Sequence, residues 1–507
     1  MLLRRLQENK SNVLIVAISL GAVSILVLTP ISRLFISTTN EYVGPQNLLF
    51  PRRELFAFYI SICIFLAVAY YQIIKLNSRH LNKYLLLTSV LLVVVVAIFT
   101  YPSVYDPLYY HFSAQLWVAN HINPYLSLVD AVSRIQFPVI SVPVLHNYAY
   151  GPVWLILTVL IGIAVRFNYL FFSAGLTLIA GASLIAASFV AQTLKKDFDV
   201  KFSIFLLLFN PVVLLFALPS GNQEPLAALM LILGVAFVKK HKELFTGTFL
   251  ALACAIKISL FAPSLIIFIW SLVQNNSGST RSRFVKLMAP FAIVFGLSAI
   301  VFGGTTRVLS GLQTFVHIEQ THGLTIGSLL AYSSSEIIKR PDLLPAILNI
   351  CHLLLNTIFF VILFRYVVKI MRREPVTLMT LGTWLWKVII LQIYLLGISM
   401  KPWYIIPALV MSLLLNRRYR LATALITLFY TIGAEYLTFT IEYPQGTTVG
   451  TAVFLIVIGI TVAIPVLIVF TVDESTQQRL NIWLRSWIQK IIPLAPSTIN
   501  LPPTSKS

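Results

Sequence analysis

The residues most able to do chemistry fall in a few short motifs. One is Tyr105-Asp106-Pro107-Leu108-Tyr109-Tyr110-His111, which follows an apolar run. A carboxylate placed there can act as a general base, taking the proton from a hydroxyl as its oxygen attacks. Asp106 also reads as a helix N-cap, since Pro107 suits the first helical position, and the two roles are compatible. Two further motifs are Asn123-Pro124-Tyr125 and His146-Asn147-Tyr148-Ala149-Tyr150-Gly151-Pro152-Val153-Trp154. Aromatics bracketed by Gly and Pro suit a belt at a membrane interface, and also suit stacking on a sugar ring.

Pro219-Ser220-Gly221-Asn222-Gln223-Glu224-Pro225 is a polar break between two apolar runs. Irregular backbone at membrane depth is tolerated beside protein or a water-filled cavity, whereas a plain hairpin turn would not require Asn, Gln and Glu together. Lys257, in Ala255-Ile256-Lys257-Ile258 ahead of Pro263, either snorkels or meets an anion such as a lipid phosphate. Lys401-Pro402-Trp403-Tyr404 sets a cation and two aromatics at the start of a run, as an interface anchor or as a contact to a lipid-borne phosphate or its sugar. His317-Ile318-Glu319-Gln320-Thr321-His322 holds three groups able to ligate a metal, but not at the spacing of a helical zinc motif, and solvated loop polarity also explains it. No Walker A loop or Gly-x-Gly-x-x-Gly fingerprint occurs, so nothing points to direct use of ATP or a nucleotide sugar.

The elements that must carry these motifs are membrane helices. Of the 507 residues 58% are hydrophobic and only 11% charged, less than half the charge of a soluble chain. Apolar runs long enough to approach the ~30 Å of a bilayer core recur throughout. Candidate spans run over about 12–31, 54–75, 84–101, 168–194, 202–218, 225–238 and 244–257. They continue over 260–273, 287–303, 344–368, 380–399, 403–415, 421–437 and 449–472, fourteen in all, with twelve as the lower count. The first, opened by Met1-Leu2-Leu3-Arg4-Arg5, lacks a small-x-small exit and is read as an uncleaved span. Cys63, Cys254 and Cys351 all lie in apolar runs and predict no disulfide framework.

The formal charge of +20 is first an orientation signal, not a nucleic-acid signature. With both termini cytoplasmic and the apolar run 152–166 not crossing, most basic residues fall inside. Examples are Lys195, Lys196 and Lys201, then Arg372 and Arg373, then Arg417, Arg418 and Arg420. Letting 152–166 cross would invert every later loop and export that charge, which the positive-inside rule rejects. Segment 102–167 thus becomes a large first external loop bearing non-crossing helices, and the motif around Asp106 faces outward. A second external segment spans 304–343. After 472, Leu480, Trp483, Leu484, Trp487, Ile488 and Ile491 recur at helical spacing opposite Arg479, Arg485 and Lys490, as in an interfacial helix. The Pro/Ser/Thr-rich end reads as disordered.

Taken in order, these motifs resemble the GT-C glycosyltransferases that use polyprenyl-phosphate sugars. The likeness is to the mannosyltransferase of glycosylphosphatidylinositol synthesis and to bacterial glycosyltransferase family 87. It rests on Asp106 through Trp117 to Asn123-Pro124-Tyr125, then Tyr150-Gly151-Pro152, then Gly221-Asn222-Gln223-Glu224. Lys257-Ile258 with Pro263, and Trp403-Tyr404, complete it, over about residues 84–415. The resemblance implies an all-α, GT-C-like polytopic core over 84–472, preceded by two added spans in 1–83 and followed by a cytoplasmic tail, 473–507. It also implies inverting transfer of a hexose, most commonly mannose, on the non-cytoplasmic face of a prokaryotic plasma membrane. The donor would be lipid-linked and the acceptor a glycolipid or lipid-linked glycan, with no nucleic acid involved. Asp106 would be the base, and Lys257 and Lys401 would hold the donor phosphate. Tyr109, Tyr110, Asn123, Tyr125, Tyr150, Asn222, Glu224, Trp403 and Tyr404 would shape the sugar and acceptor sites. Eukaryotic relatives often carry Asp-x-Asp in the first loop; here position 104 is Val104, which puts a divalent metal in doubt, and no metal ligands are assigned. A lipid-linked sugar flippase and a surface polysaccharide ligase or polymerase stand as alternatives. Lys387, inside a span behind Trp384 and Trp386, reads as a snorkelling lysine.

Overall fold

The computed structural model describes residues 84–99, 106–125, 148, 150–195, 200–274, 279–302, 341–396, 401–442 and 459–472, with isolated positions 326, 330 and 334. Among the described residues every regular element is helical and no strand occurs. In chain order α1 is Tyr84–Phe99, α2 Asp106–Asn120, α3 Pro152–Ala164, α4 Tyr169–Leu194 and α5 Val200–Leu208. Then come α6 Glu224–Lys239, α7 Glu243–Ile256, α8 Phe261–Gln274, α9 Thr280–Val301 and α10 Leu344–Met371. The last are α11 Leu378–Leu395, α12 Ile406–Ser412, α13 Arg417–Glu442 and α14 Ile464–Thr471. The spans expected at 12–31 and 54–75, the motif 317–322 and the tail helix lie outside the described residues.

Local sequence sets many of the helix starts. The Asn168 side chain accepts from the Phe171 amide at 3.2 Å to open α4, and Thr377 accepts from Thr380 at 3.1 Å to open α11. Proline stands in the first turn of α3, α6 and α10, where its missing N–H costs nothing.

Among the described residues four helices are long and apolar enough to cross a membrane: Tyr169–Leu194, Thr280–Val301, Pro345–Met371 and Leu378–Leu395. They coincide with the spans expected at 168–194, 287–303, 344–368 and 380–399. Burial divides them. Ile300 in α9 is 79% exposed and Phe364 in α10 is 68% exposed, an apolar surface that suits hydrocarbon and not water. By contrast α11 is enclosed by its neighbours, with Leu385, Trp386, Val388, Ile390 and Tyr394 all buried. Lys387 shares that enclosure at 8% exposure, so it does not snorkel out to a surface.

The expected span 244–257 is shorter than a bilayer core: α7 has 14 residues, about 20 Å at ~1.5 Å per residue, and α3, expected not to cross, has 13. The run 202–218 is not one helix: Phe209 and Asn210 interrupt it after α5, and the Asn210 side chain accepts from the Val212 amide at 3.0 Å. The chain resumes as a π-helical turn over Val213–Ala217, then a single α turn over Leu218–Ser220. Pro211 follows Asn210 and cannot donate back across the break, which is why one apolar run becomes two pieces. The interior is built where α6 packs on α4 and α7, and α7 on α9. Small buried residues in α4 and α6, among them Ala180, Ala187, Ala227 and Ala228, allow that close approach.

Candidate functional site

Asp106 is the first residue of α2 and Pro107 lies buried behind it, so the helix begins where the motif anticipates; the Asp106 side chain lies outside the described residues. One turn on, Tyr109 and Tyr110 point inward. The Tyr109 ring stacks on Tyr148 with centroids 5.7 Å apart. Tyr110 meets Tyr150 edge-on at 4.9 Å and Trp154 at 5.5 Å. Tyr125 closes the group: its ring lies edge-on to Tyr148 at 5.4 Å, and its hydroxyl donates to the Tyr150 carbonyl at 2.9 Å. Burial drives its phenol well above the ordinary range, so it serves as a neutral donor. Asn123 is engaged at both ends by backbone, accepting from the Tyr125 amide at 3.0 Å and donating to the Phe302 carbonyl at 2.6 Å. Phe302 also packs on Trp117 and Tyr125, a partner that no motif announced.

Gly151 ties this aromatic group to the second half of the site. Its amide donates to the Ile256 carbonyl at 3.2 Å, at the end of α7. A Cβ on Gly151 would stand 1.9 Å from the Ala255 carbonyl oxygen, so only glycine lets these two backbones meet. Gly151→Ala should therefore push apart the helix ends that flank the site. We expect a loss of about 1–3 kcal/mol, read as a lowered melting temperature of the solubilised protein. A melting temperature equal to wild type would show that the contact is dispensable.

Lys257 follows Ile256 as the C-cap of α7. It neither snorkels nor waits exposed. Its ammonium forms an ion pair with the Glu224 carboxylate and lies 3.6 Å from the centroid of the Tyr404 ring. Glu224 is 1% exposed and Lys257 9%, a buried pair that persists only because each charge answers the other. Of the two expectations for Lys257, snorkelling or meeting an anion, the second holds, and the anion is a carboxylate of the protein itself. Tyr404 belongs to the 3-10 turn Pro402–Ile405, whose N-cap is Lys401, and its amide donates to the Lys401 carbonyl at 3.1 Å. Trp403, in the same turn, packs at 6.5 Å on Phe216 in the π turn that leads to the polar break.

The break itself is buried. Gly221 takes the left-handed conformation, φ 52°, and lies against Leu176 of α4. The Thr177 hydroxyl donates to the Leu218 carbonyl at 2.8 Å. Ser220, Asn222, Gln223 and Glu224 are each 2% exposed or less. Among the described residues Ser220 Oγ, both amide atoms of Asn222, Gln223 Oε1 and Glu224 Oε2 have no hydrogen-bond partner. Each such group costs about 1–3 kcal/mol when left unpaired, so the cluster suits a ligand rich in hydroxyls.

His111, read only as part of a motif, has a defined place. Its Nε2 bonds the Phe167 carbonyl at 2.8 Å, and its ring lies edge-on to Phe167, Tyr169 and Phe172. Burial lowers its pKa below the ordinary 6.5, partly offset by that hydrogen bond. A lowered folded-state value means the unfolded chain binds the proton more readily. Stability is then complete above about pH 6.5 and falls as pH drops through the folded value. His111→Gln should flatten the acid limb of a pH–melting profile; an unchanged profile would remove His111 from that role.

The structure thus brings Tyr109, Tyr110, Tyr125 and Tyr150 into one aromatic group. It brings Glu224, Lys257, Trp403 and Tyr404 into a second, adjoining through Gly151. Among the described residues no three of His, Cys, Asp or Glu gather as a metal site. Fold and site define a helical protein with membrane-length helices and a buried junction of ionic and aromatic groups. The chain matches no family model, no curated protein and no solved structure.

Proposed function

We propose that the chain is a membrane glycosyltransferase of GT-C-like architecture, with about 14 spans, both termini cytoplasmic and α3 not crossing. It moves a hexose, most simply mannose, from a polyprenyl phosphate to a glycolipid or lipid-linked glycan on the non-cytoplasmic face. The acceptor hydroxyl oxygen attacks the anomeric carbon while its proton passes to the Asp106 carboxylate. The bond from that carbon to the phosphate oxygen breaks, its electron pair leaves on the polyprenyl phosphate, and the configuration inverts. Lys257 and Lys401 hold the donor phosphate, and the orphaned polar atoms of Asn222, Gln223 and Glu224 meet sugar hydroxyls. No divalent metal is assigned.

The observation that carries this reading is the Gly151 contact, which joins the aromatic group after Asp106 to the Lys257–Glu224–Tyr404 cluster. Residues from motifs far apart in the chain meet there, as a two-substrate site requires. Because Lys257 is already paired, the donor phosphate must share it with Glu224 or displace that carboxylate. The test is purified protein with radiolabelled polyprenyl-phosphate mannose or glucose and a lipid extract. Labelled glycolipid is expected from one donor. No label from either would overturn the reading.

A lipid-linked sugar transporter is the second reading, favoured by the buried Lys387 and the interrupted helix at Phe209–Asn210. It predicts movement of a fluorescent lipid-linked sugar across proteoliposomes without transfer.

A further inference from the structure

A cavity of about 410 Å³ lies at the far end of α8 from Lys257, between α8, the end of α10 and the start of α11. Its volume is within the range of small-molecule sites. Its walls are of two kinds. Trp270, Val273 and Ile370 form an apolar side, with Trp270 and Ile370 buried. Arg373 and Glu374 supply opposite charges at an exposed rim. Neither of these two has an ion-pair partner among the described residues.

The backbone gives a second, independent observation. At the end of α10 the Arg373 amide bonds the Ile370 carbonyl at 2.9 Å and the Glu374 amide bonds the Lys369 carbonyl at 3.3 Å. Those are the two bonds of a Schellman ending, and Arg373 occupies its left-handed position with φ 55°. Glycine is the residue favoured there, so this guanidinium stands at a position that disfavours any side chain.

We propose that this cavity holds the zwitterionic headgroup of a membrane phospholipid, its phosphate on Arg373 and its ammonium on Glu374. A simple anion would be served by Arg373 but repelled by Glu374. A zwitterion uses both, and charge-assisted contacts to each end are the strong ones. The source is lipid because the cavity is walled by the end of α10, whose outer face exposes Phe360, Val361 and Phe364. The glycerol and upper acyl chain then run onto Trp270, Val273 and Ile370.

The full-length protein, purified in detergent and stripped of lipid, tests this by native mass spectrometry with three additions. They are dioleoyl phosphatidylethanolamine, dioleoyl phosphatidylglycerol and soluble glycerophosphoethanolamine. The zwitterionic lipid should be retained about tenfold more than the anionic one, and the soluble headgroup should not compete. Arg373→Gly should raise the melting temperature of the lipid-free protein, since glycine suits φ 55°, yet lose lipid retention. Glu374→Gln should bring the two lipids to equal retention. Equal retention by the wild type, competition by the free headgroup, or full retention by Arg373→Gly would each overturn the proposal.

Discussion

Asp106→Asn is expected to lower the rate of sugar transfer by about 10²- to 10⁴-fold, the usual contribution of a general base, while leaving the fold unchanged. The choice of asparagine separates the two readings of this residue. Asp106 opens α2 ahead of Pro107, a position where its side chain could also cap the helix. Asparagine caps about as well as aspartate, so α2 and the inward faces of Tyr109 and Tyr110 should be retained. It cannot accept a proton at neutral pH. Loss of transfer with an unaltered melting temperature therefore identifies a base. Near-normal transfer would leave Asp106 as a cap alone and remove the proposed mechanism. Asp106→Ala should lose both functions, with about 1 kcal/mol of stability added to the kinetic loss.

The Lys257–Glu224 pair makes the second large prediction. Lys257→Met strands the Glu224 carboxylate at 1% exposure, and breaking a buried pair this way costs about 3–5 kcal/mol. The single variant should therefore melt far below wild type, and its inactivity alone says nothing about donor binding. Adding Glu224→Gln removes the stranded charge and should return most of the lost stability, since paired replacement of buried charges is often neutral. If Lys257 also holds the donor phosphate, the refolded double variant stays inactive and fails to retain the polyprenyl-phosphate sugar. A double variant that regains both stability and transfer would make the pair structural and move the phosphate site elsewhere. Melting curves and donor-binding measurements on wild type, the single variant and the double variant decide between these outcomes.

Much of the helical frame was legible beforehand because its signals are local. Apolar runs announced α4, α9, α10 and α11, while the caps Asn168 and Thr377, equally local, show themselves only in the hydrogen bonds that open α4 and α11. The break at Asn210 was less visible, since Leu206, Leu207 and Leu208 before it and Val212 and Val213 after it read as one apolar run. Pro211, which has no N–H to carry the helix on, and the Asn210 side chain turning back to the Val212 amide together end the first piece. Lys387 was misplaced for a related reason. Its sequence neighbours resemble an interface belt, but enclosure of α11 comes from other helices.

By itself the sequence determined an apolar, basic, helical chain and marked the polar and aromatic residues that its spans carry at their ends. Hydropathy, caps and charge asymmetry need only neighbouring residues, which is why they could be read directly. Tertiary structure alone decided what those marked residues meet. The partner of Lys257 lies 33 positions away, and the Tyr404 ring over its ammonium comes from another part of the chain again. Gly151 is required because a backbone carbonyl from α7 arrives against it, and nothing in Tyr150-Gly151-Pro152 foretells that arrival. A buried charge is stable only beside its counter-charge, so the packing of α6 against α7, not the spacing of either motif, assembles the site.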